Sequence, residues 1–236
     1  MTRIDELIKN QEKIKTKVLK KYLRENRVKV DGKVINKPSY NIDAKLQNLT
    51  LDDKLILGTG HRYIMLNKPA KFLSANKDLE FQTVFDILGS EINPDNLYIV
   101  GRLDYWSRGL MLITDNGKLG RNILNPQNHV EKVYEVKTKE ELDDSLIERF
   151  AEGLIINEAT KLYGAKLDIL TKHSARVTIR QGKNKQIRKM FLACGILVTD
   201  LKRLKMGPLT LDENLDEGDY RSLTDLEILS LVDYFN

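Results

Sequence analysis

The residues of this chain best equipped to do chemistry are Arg102, Asp104, Ser107 and Arg108. They stand between two apolar runs, 97–100 and 110–113, the first ending at Gly101 and the second closing on Asp115-Asn116-Gly117. Both runs have the length and the bounding turn residues of buried strands. Rigid strands that present a charged loop are a common way to build a site. The Asp104 carboxylate, at the loop's centre, can then be aimed at a substrate. The blander role for such an Asp is to cap a turn or pair with a neighbouring Arg.

A second cluster is basic. Arg180, Lys183, Lys185, Arg188 and Lys189 surround the start of an apolar pattern in which Ile187, Met190, Phe191 and Cys194 recur at i, i+3, i+4 and i+7. That spacing predicts a helix with one core face, stopped by Gly195. Cys194 falls on that face and reads as structural rather than reactive. The basic residues occupy the loop and first turn, where outward-facing amides also attract phosphate.

Charge is distributed unevenly. The 236 residues carry 39 Lys+Arg against 34 Asp+Glu, for a net charge of +5. Residues 1–57 are net +6 and residues 172–206 net +9, whereas the tail 212–236 holds eight acids and only Arg221. Two separated basic segments suggest a polyanion gripped at two places, the alternative being a solvated basic face. Cys194 is the only cysteine, so no disulfide framework is expected. His61, His129 and His173 show no metal-ligand spacing. No apolar run approaches the ~18 residues of a membrane span, and the first 30 residues are too charged for a signal peptide. A cytoplasmic chain is expected.

The elements that must position these groups follow in order. Ile4, Leu7 and Ile8, then Ile14, Val18, Leu19, Tyr22 and Leu23, predict two short helices over 3–25. Asp31-Gly32 between alternating residues predicts a hairpin over 28–35. Gly58 and Gly60 suggest a linker at 58–62. Strands are expected at 63–66 and 129–136, a short helix over 82–89 and another over 118–124. An acidic amphipathic helix is expected over 139–152 and a hairpin from 165–170 and 176–180. Thr224 and Glu227 predict a capping box.

Gly101-Arg102-Leu103-Asp104, followed by Ser107-x-Gly109-Leu110 and Leu112-x-Thr114-x-Asn116-Gly117, resembles the signature of pseudouridine synthases, in particular the RsuA-type branch that modifies ribosomal RNA. Lys132-x-Tyr134 and the segment Gly182 to Met190, with Gln186-Ile187-Arg188, resemble that family's second and third motifs. Asn67-Lys68-Pro69 resembles the turn that opens its catalytic domain. Residues 3–57 are similar to the S-four RNA-binding domain through Arg3-Ile4-Asp5 and Arg27-Val28-x-Val30-Asp31-Gly32. That domain's usual Ser-Arg at the second helix is replaced by Lys15-Thr16, and Tyr105-Trp106 stands where the family has small or acidic residues.

The resemblance implies an α+β chain in two parts. A small helix/hairpin RNA-binding module spans 1–57 and, after the linker, a catalytic domain spans 63–236 with a mixed, largely antiparallel sheet flanked by helices. It implies Asp104 as the catalytic carboxylate, Tyr134 stacked on the detached base, and Arg188 paired with Asp104 to keep it ionised. Arg102, Lys68, Lys132, Lys183, Lys185, Gln186 and Lys189, with Arg3, Lys20, Lys21 and Arg27 from the module, are the expected RNA contacts. The substrate would be a uridine of ribosomal RNA, with small-subunit RNA, as a precursor or assembly intermediate, favoured over large-subunit RNA. A non-catalytic RNA-binding assembly protein and a transfer-RNA modifier are the competing readings. No cofactor is needed for an isomerisation, and a monomer is expected.

Overall fold

The computed structural model of the chain describes residues 2–58, 60–89, 92–156 and 160–235. The chain begins with α1 (Ile4–Glu12) and α2 (Thr16–Arg24), then the hairpin β1 (Val28–Val30) and β2 (Lys33–Val34). Asp31 (φ 47°) and Gly32 (φ 77°) both take the left-handed conformation, which a two-residue loop needs if its twist is to match the strands it joins. β3 (Leu49–Leu51) and β4 (Lys54–Ile56) complete an antiparallel sheet in the order β2-β1-β3-β4. Ile4, Ile8, Leu19 and Leu23 of the helices meet Val28, Leu49 and Ile56 in a core of their own. The helix/hairpin module is therefore present as the sequence predicts.

A second, larger unit is built on one mixed sheet. Its strands include β5 (Tyr63–Lys68), β6 (Tyr98–Val100), β7 (Arg108–Thr114), β8 (Lys132–Thr138), β9 (Lys166–Thr171), β10 (Ser174–Ile179), β11 (Val198–Met206) and β12 (Tyr220–Ser222), with a short strand Leu209–Thr210 paired to β11. They are ordered β9-β10-β8-β11-β7-β5-β12, with β6 also paired to β7. Among the described residues the β7–β11 pair alone is parallel. The helices are α3 (Gly117–Leu124), α4 (Ser145–Glu152), α5 (Gln186–Leu192) and α6 (Asp225–Ser230). Ile64, Leu66, Met111 and Ile113 gather with Phe150 and Phe191 of α4 and α5. Tyr63, Met65, Leu110 and Leu112 gather with Leu119, Ile123 and Ile228 of α3 and α6. Side chains alternate across a strand, so covering both faces turns 63–66 and 110–113 into unbroken apolar runs.

The two units share a buried polar contact. The Tyr63 hydroxyl donates to Asp43 Oδ2 at 2.8 Å and accepts from Asn116 Nδ2 at 3.1 Å. The expected linker, 58–62, leads into this contact; Thr59 lies outside the described residues.

Two helix expectations are corrected. Residues 82–89 form turns rather than a helix. The Thr83 amide and hydroxyl both donate to the Asp86 carboxylate (2.7 and 3.0 Å), while the Val84 amide is drawn to the Leu73 carbonyl at 2.9 Å. The helix expected over 139–152 begins only at Ser145, because the amides of Lys139 and Leu142 are bonded to the carbonyls of Leu197 and Lys172 (2.9 and 2.7 Å). The capping box at Thr224 is present. Among the described residues no helix is long and apolar enough to cross a membrane.

Candidate active site

Asp104 lies on the loop between β6 and β7, and that loop is held by its main chain. Four of its carbonyls accept from side chains that come from elsewhere in the chain. Lys68 Nζ donates to Asp104 O at 3.3 Å and Ser107 O at 2.8 Å, and also to Pro69 O at 2.9 Å. Ser74 Oγ donates to Leu103 O at 2.6 Å and accepts from the Leu103 amide at 3.1 Å. Arg203 donates through Nη2 to Gly101 O and through Nε to Leu110 O, both at 2.7 Å, and so clasps the two ends of the loop. The loop's backbone is thus fixed and its carboxylate left unclaimed. Among the described residues Asp104 forms no ion pair and no side-chain hydrogen bond.

A cleft of about 1270 Å3 opens over the loop. Among the described residues that line it Asp104 is the only carboxylate, whereas Arg102, Lys132, Arg180, Lys183, Lys185 and Arg203 all bring positive charge. Tyr134, on β8, forms part of the wall and is only 7% exposed. It sits directly opposite Arg203 of β11, next to a shift in register between the two strands.

Several residues expected to contact RNA lie elsewhere or do something else. Lys68 is fully buried and bonded to three carbonyls, so it cannot reach a phosphate. Its ammonium is lowered to about 8, by burial above all; the Asp104 carboxylate works against this and Arg203 adds a smaller push downward. Lys132 does line the cleft, but it is 8% exposed and bonded to Val130 O at 3.0 Å. Burial, and then Arg203, lowers it to about 8 as well. Gln186 lines the cleft while its Oε1 accepts the Lys183 amide at 3.1 Å, which makes it a buried cap for its own loop. Arg188 does not pair with Asp104: its Nη1 donates to Val198 O at 2.9 Å and its Nη2 is buried without a partner. Lys189, beside it, is half-buried and outside the cleft lining.

In the module, Arg27 is bonded to Asp52 at 2.7 Å and lies 3.8 Å over the Tyr22 ring, and Arg3 is paired with Asp5 at 2.8 Å. Both are therefore engaged within the protein. Lys20 and Lys21 are exposed on α2, and Arg102, Lys183 and Lys185 are exposed at the cleft. Sequence reasoning missed Ser74 and Arg203. Arg203 lies within the basic segment 172–206, where it reads as one more solvated cation beside Lys202 and Lys205, although it is almost completely buried.

The comparisons with known proteins agree on one family. Residues 62–193, more than half of the chain, match the family model described as RNA pseudouridylate synthase. The chain belongs to the RNA pseudouridylate synthase family. Residues 2–47 match the S4 domain. The chain is 34% identical over 231 residues to the ribosomal small subunit pseudouridine synthase A of Escherichia coli (strain K12), covering 98% of this chain and 100% of that one. It is 34% identical over 230 residues to an RNA pseudouridine synthase of Bacillus subtilis (strain 168), covering 96% of each chain. A crystal structure of a pseudouridylate synthase superposes with a TM-score of 0.69 at 31% identity, covering 98% of this chain and 100% of the other. The α+β architecture, the N-terminal S4 domain and the largely antiparallel sheet are those of a pseudouridine synthase.

Proposed function

We propose that this pseudouridine synthase isomerises one uridine of small-subunit ribosomal RNA, in the cytoplasm, with Asp104 as the catalytic carboxylate. The observation that carries the reading is that, among the described residues, a single acid stands in a cleft whose other charged residues are basic. A protein that only bound RNA would gain nothing from an acid facing phosphates.

The reaction breaks the bond between a ribose carbon and a uracil nitrogen and rejoins the same uracil through carbon. The base must first leave the stack, which requires a cleft able to hold a flipped nucleotide. The basic lining holds the flanking phosphates, with Arg102, Lys183 and Lys185 exposed for that purpose. A carboxylate without a protein partner is free to act as nucleophile or base. Lys68 and Arg203, bonded to the loop's carbonyls, keep that carboxylate aimed. Tyr134 offers the detached uracil a ring against which to stay in the cleft. Atoms balance within the substrate, so no external group is consumed.

The test is a map of pseudouridines in both ribosomal RNAs, made by carbodiimide modification and reverse transcription, with and without the gene. One stop lost from the small-subunit RNA, restored by the wild-type gene and not by Asp104→Asn, is the expected result. A stop lost from the large-subunit RNA moves the substrate. Restoration by Asp104→Asn removes Asp104 from the chemistry.

A further inference from the structure

The residues following Asp104 are Tyr105 and Trp106, and the structure shows them in a run of aromatic rings. Phe81 and Tyr105 pack with ring centroids 5.5 Å apart at 71°, and Tyr105 and Trp106 with centroids 5.2 Å apart at 86°. Trp106 is 60% exposed and Phe81 49%. Exposed large rings that adjoin one another mark a contact surface, whereas a scattered one needs no explanation. Lys71 Nζ stands 5.8 Å from the Trp106 ring centroid and extends the run with a cation.

This surface is anchored to the Asp104 loop. The Lys71 amide donates to Tyr105 O at 2.7 Å, and Ser74 Oγ is bonded to both the amide and the carbonyl of Leu103. Tyr105 itself lines the cleft, so the aromatic run begins at the cleft edge and continues outward. Of the nearby acids, Asp78 accepts the amides of Glu80 and Phe81 (both 3.0 Å); it and Glu80 are both exposed, as are Lys71, Lys77 and Arg102.

We propose that Phe81, Tyr105 and Trp106 form a stacking platform for the unpaired nucleotides beside the target uridine, with Lys71 on their phosphate. This rests on the reading of the cleft as the uridine site. Extruding a base leaves its neighbours with an unstacked face. Aromatic side chains restore that stacking on any base. The platform would therefore select single-stranded flanks over paired ones.

Trp106 is the only tryptophan, so its fluorescence reports on the platform alone. The wild-type protein is titrated with an unstructured uridine-containing oligoribonucleotide and with the same sequence annealed to its complement. Turnover on a small-subunit RNA transcript is measured in parallel for the wild type, Trp106→Ala and Trp106→Phe. The single strand is expected to quench the emission well beyond the duplex. Trp106→Ala is expected to raise KM roughly tenfold or more with a smaller effect on kcat, and Trp106→Phe to recover most of the loss.

Emission unmoved at saturating RNA, or equal quenching by the duplex, overturns the platform while an active wild type keeps the isomerase reading. A dimer by ultracentrifugation that Trp106→Ala dissociates, with KM unchanged, assigns the rings to a second copy and likewise overturns it. Quenching by the single strand in a protein that makes no pseudouridine in either ribosomal RNA upholds the platform and defeats the isomerase reading.

Discussion

The backbone of Arg203 occupies the space that a side chain on Gly109 would fill: a Cβ there would stand 2.3 Å from the Arg203 carbonyl oxygen and 2.7 Å from its nitrogen. The parallel pairing of β7 and β11 puts the two residues in register. This close approach brings the Arg203 guanidinium under the Asp104 loop, within reach of the carbonyls of Gly101 and Leu110. Gly109 also holds φ at 100°. Gly109→Ala is therefore expected to destabilise by roughly 2–5 kcal/mol, combining the left-handed penalty of ~1–2 with ~1–3 for overpacking against backbone. Gly32, with φ 77° and open space around its Cα, offers the comparison, because Gly32→Ala meets only the conformational penalty. Urea unfolding of both variants measures the difference, and equal losses would show that the approach to Arg203 is not tight.

Lys68 gives the fold a dependence on pH with a definite sign. Its ammonium is lowered from 10.5 to about 8, chiefly by burial. At pH 7 it is charged in both the folded and the unfolded chain, and the cost of burying the charge is present in full. Above about 8 the folded chain releases this proton while the unfolded chain still holds its own, so the free energy of unfolding rises with pH. Lys132, also lowered to about 8, acts in the same direction. Two groups pushed upward by burial oppose them, the Cys194 thiol from about its ordinary 9.0 and the Tyr63 hydroxyl only above its ordinary 10.0. The window is pH 8 to 10, where each lysine contributes at most ~1.4 kcal/mol per pH unit. Urea midpoints at pH 7.5, 8.5 and 9.5 are expected to rise in the wild type and to rise about half as steeply in Lys68→Met. A midpoint that falls across this window in the wild type contradicts the assignment.

What the sequence made legible follows from what is local. Strands 63–66 and 110–113 declared themselves because burial on both faces leaves no polar residue in the run, and Asp31-Gly32 did so because its turn demands left-handed backbone at both positions. The position of Asp104 was legible for a related reason, as an acid between two apolar runs, although the first of them, β6, buries only Val100 fully and leaves Tyr98 exposed. Lys68 and Arg203 were not. A long cation is buried only when carbonyls wait for it, and those of residues 101, 104, 107 and 110 are assembled by the fold rather than by neighbours in sequence. Residues 82–89 misled because the pull on their amides comes from Leu73 and Asp86, a competition that apolar spacing does not register.

Arg188 remains the cation to test against Asp104. It follows Ile187, which lines the cleft, and its Nη2 is buried with no partner. A buried donor without an acceptor costs roughly 1–3 kcal/mol, a cost that an arriving substrate or a reoriented Asp104 would relieve. Arg188→Gln is accordingly expected to lower kcat, with Arg188→Lys intermediate. A variant that loses only thermal stability, with kcat unmoved, leaves Arg188 with a structural role through Val198 O.

The module's contribution to RNA binding is separable by salt. Arg3 and Arg27 are engaged in ion pairs with Asp5 and Asp52, whereas Lys20 and Lys21 are exposed on α2. Lys21 approaches Glu25 only at 3.7 Å, a surface pair that contributes little. Each phosphate neutralised by a lysine releases counterions, so binding falls with salt at a slope of ~0.7 to 0.9 per contact. The double variant Lys20→Ala, Lys21→Ala is expected to bind small-subunit RNA more weakly and to flatten that slope by roughly 1 to 2. Arg27→Ala is expected instead to lower the module's stability, because it breaks the Asp52 contact and uncovers the Tyr22 ring. Filter binding between 50 and 200 mM salt (the range, roughly, over which counterion release is readily measured) distinguishes the two. A slope unchanged by the lysine pair would place the module's RNA contact on another face.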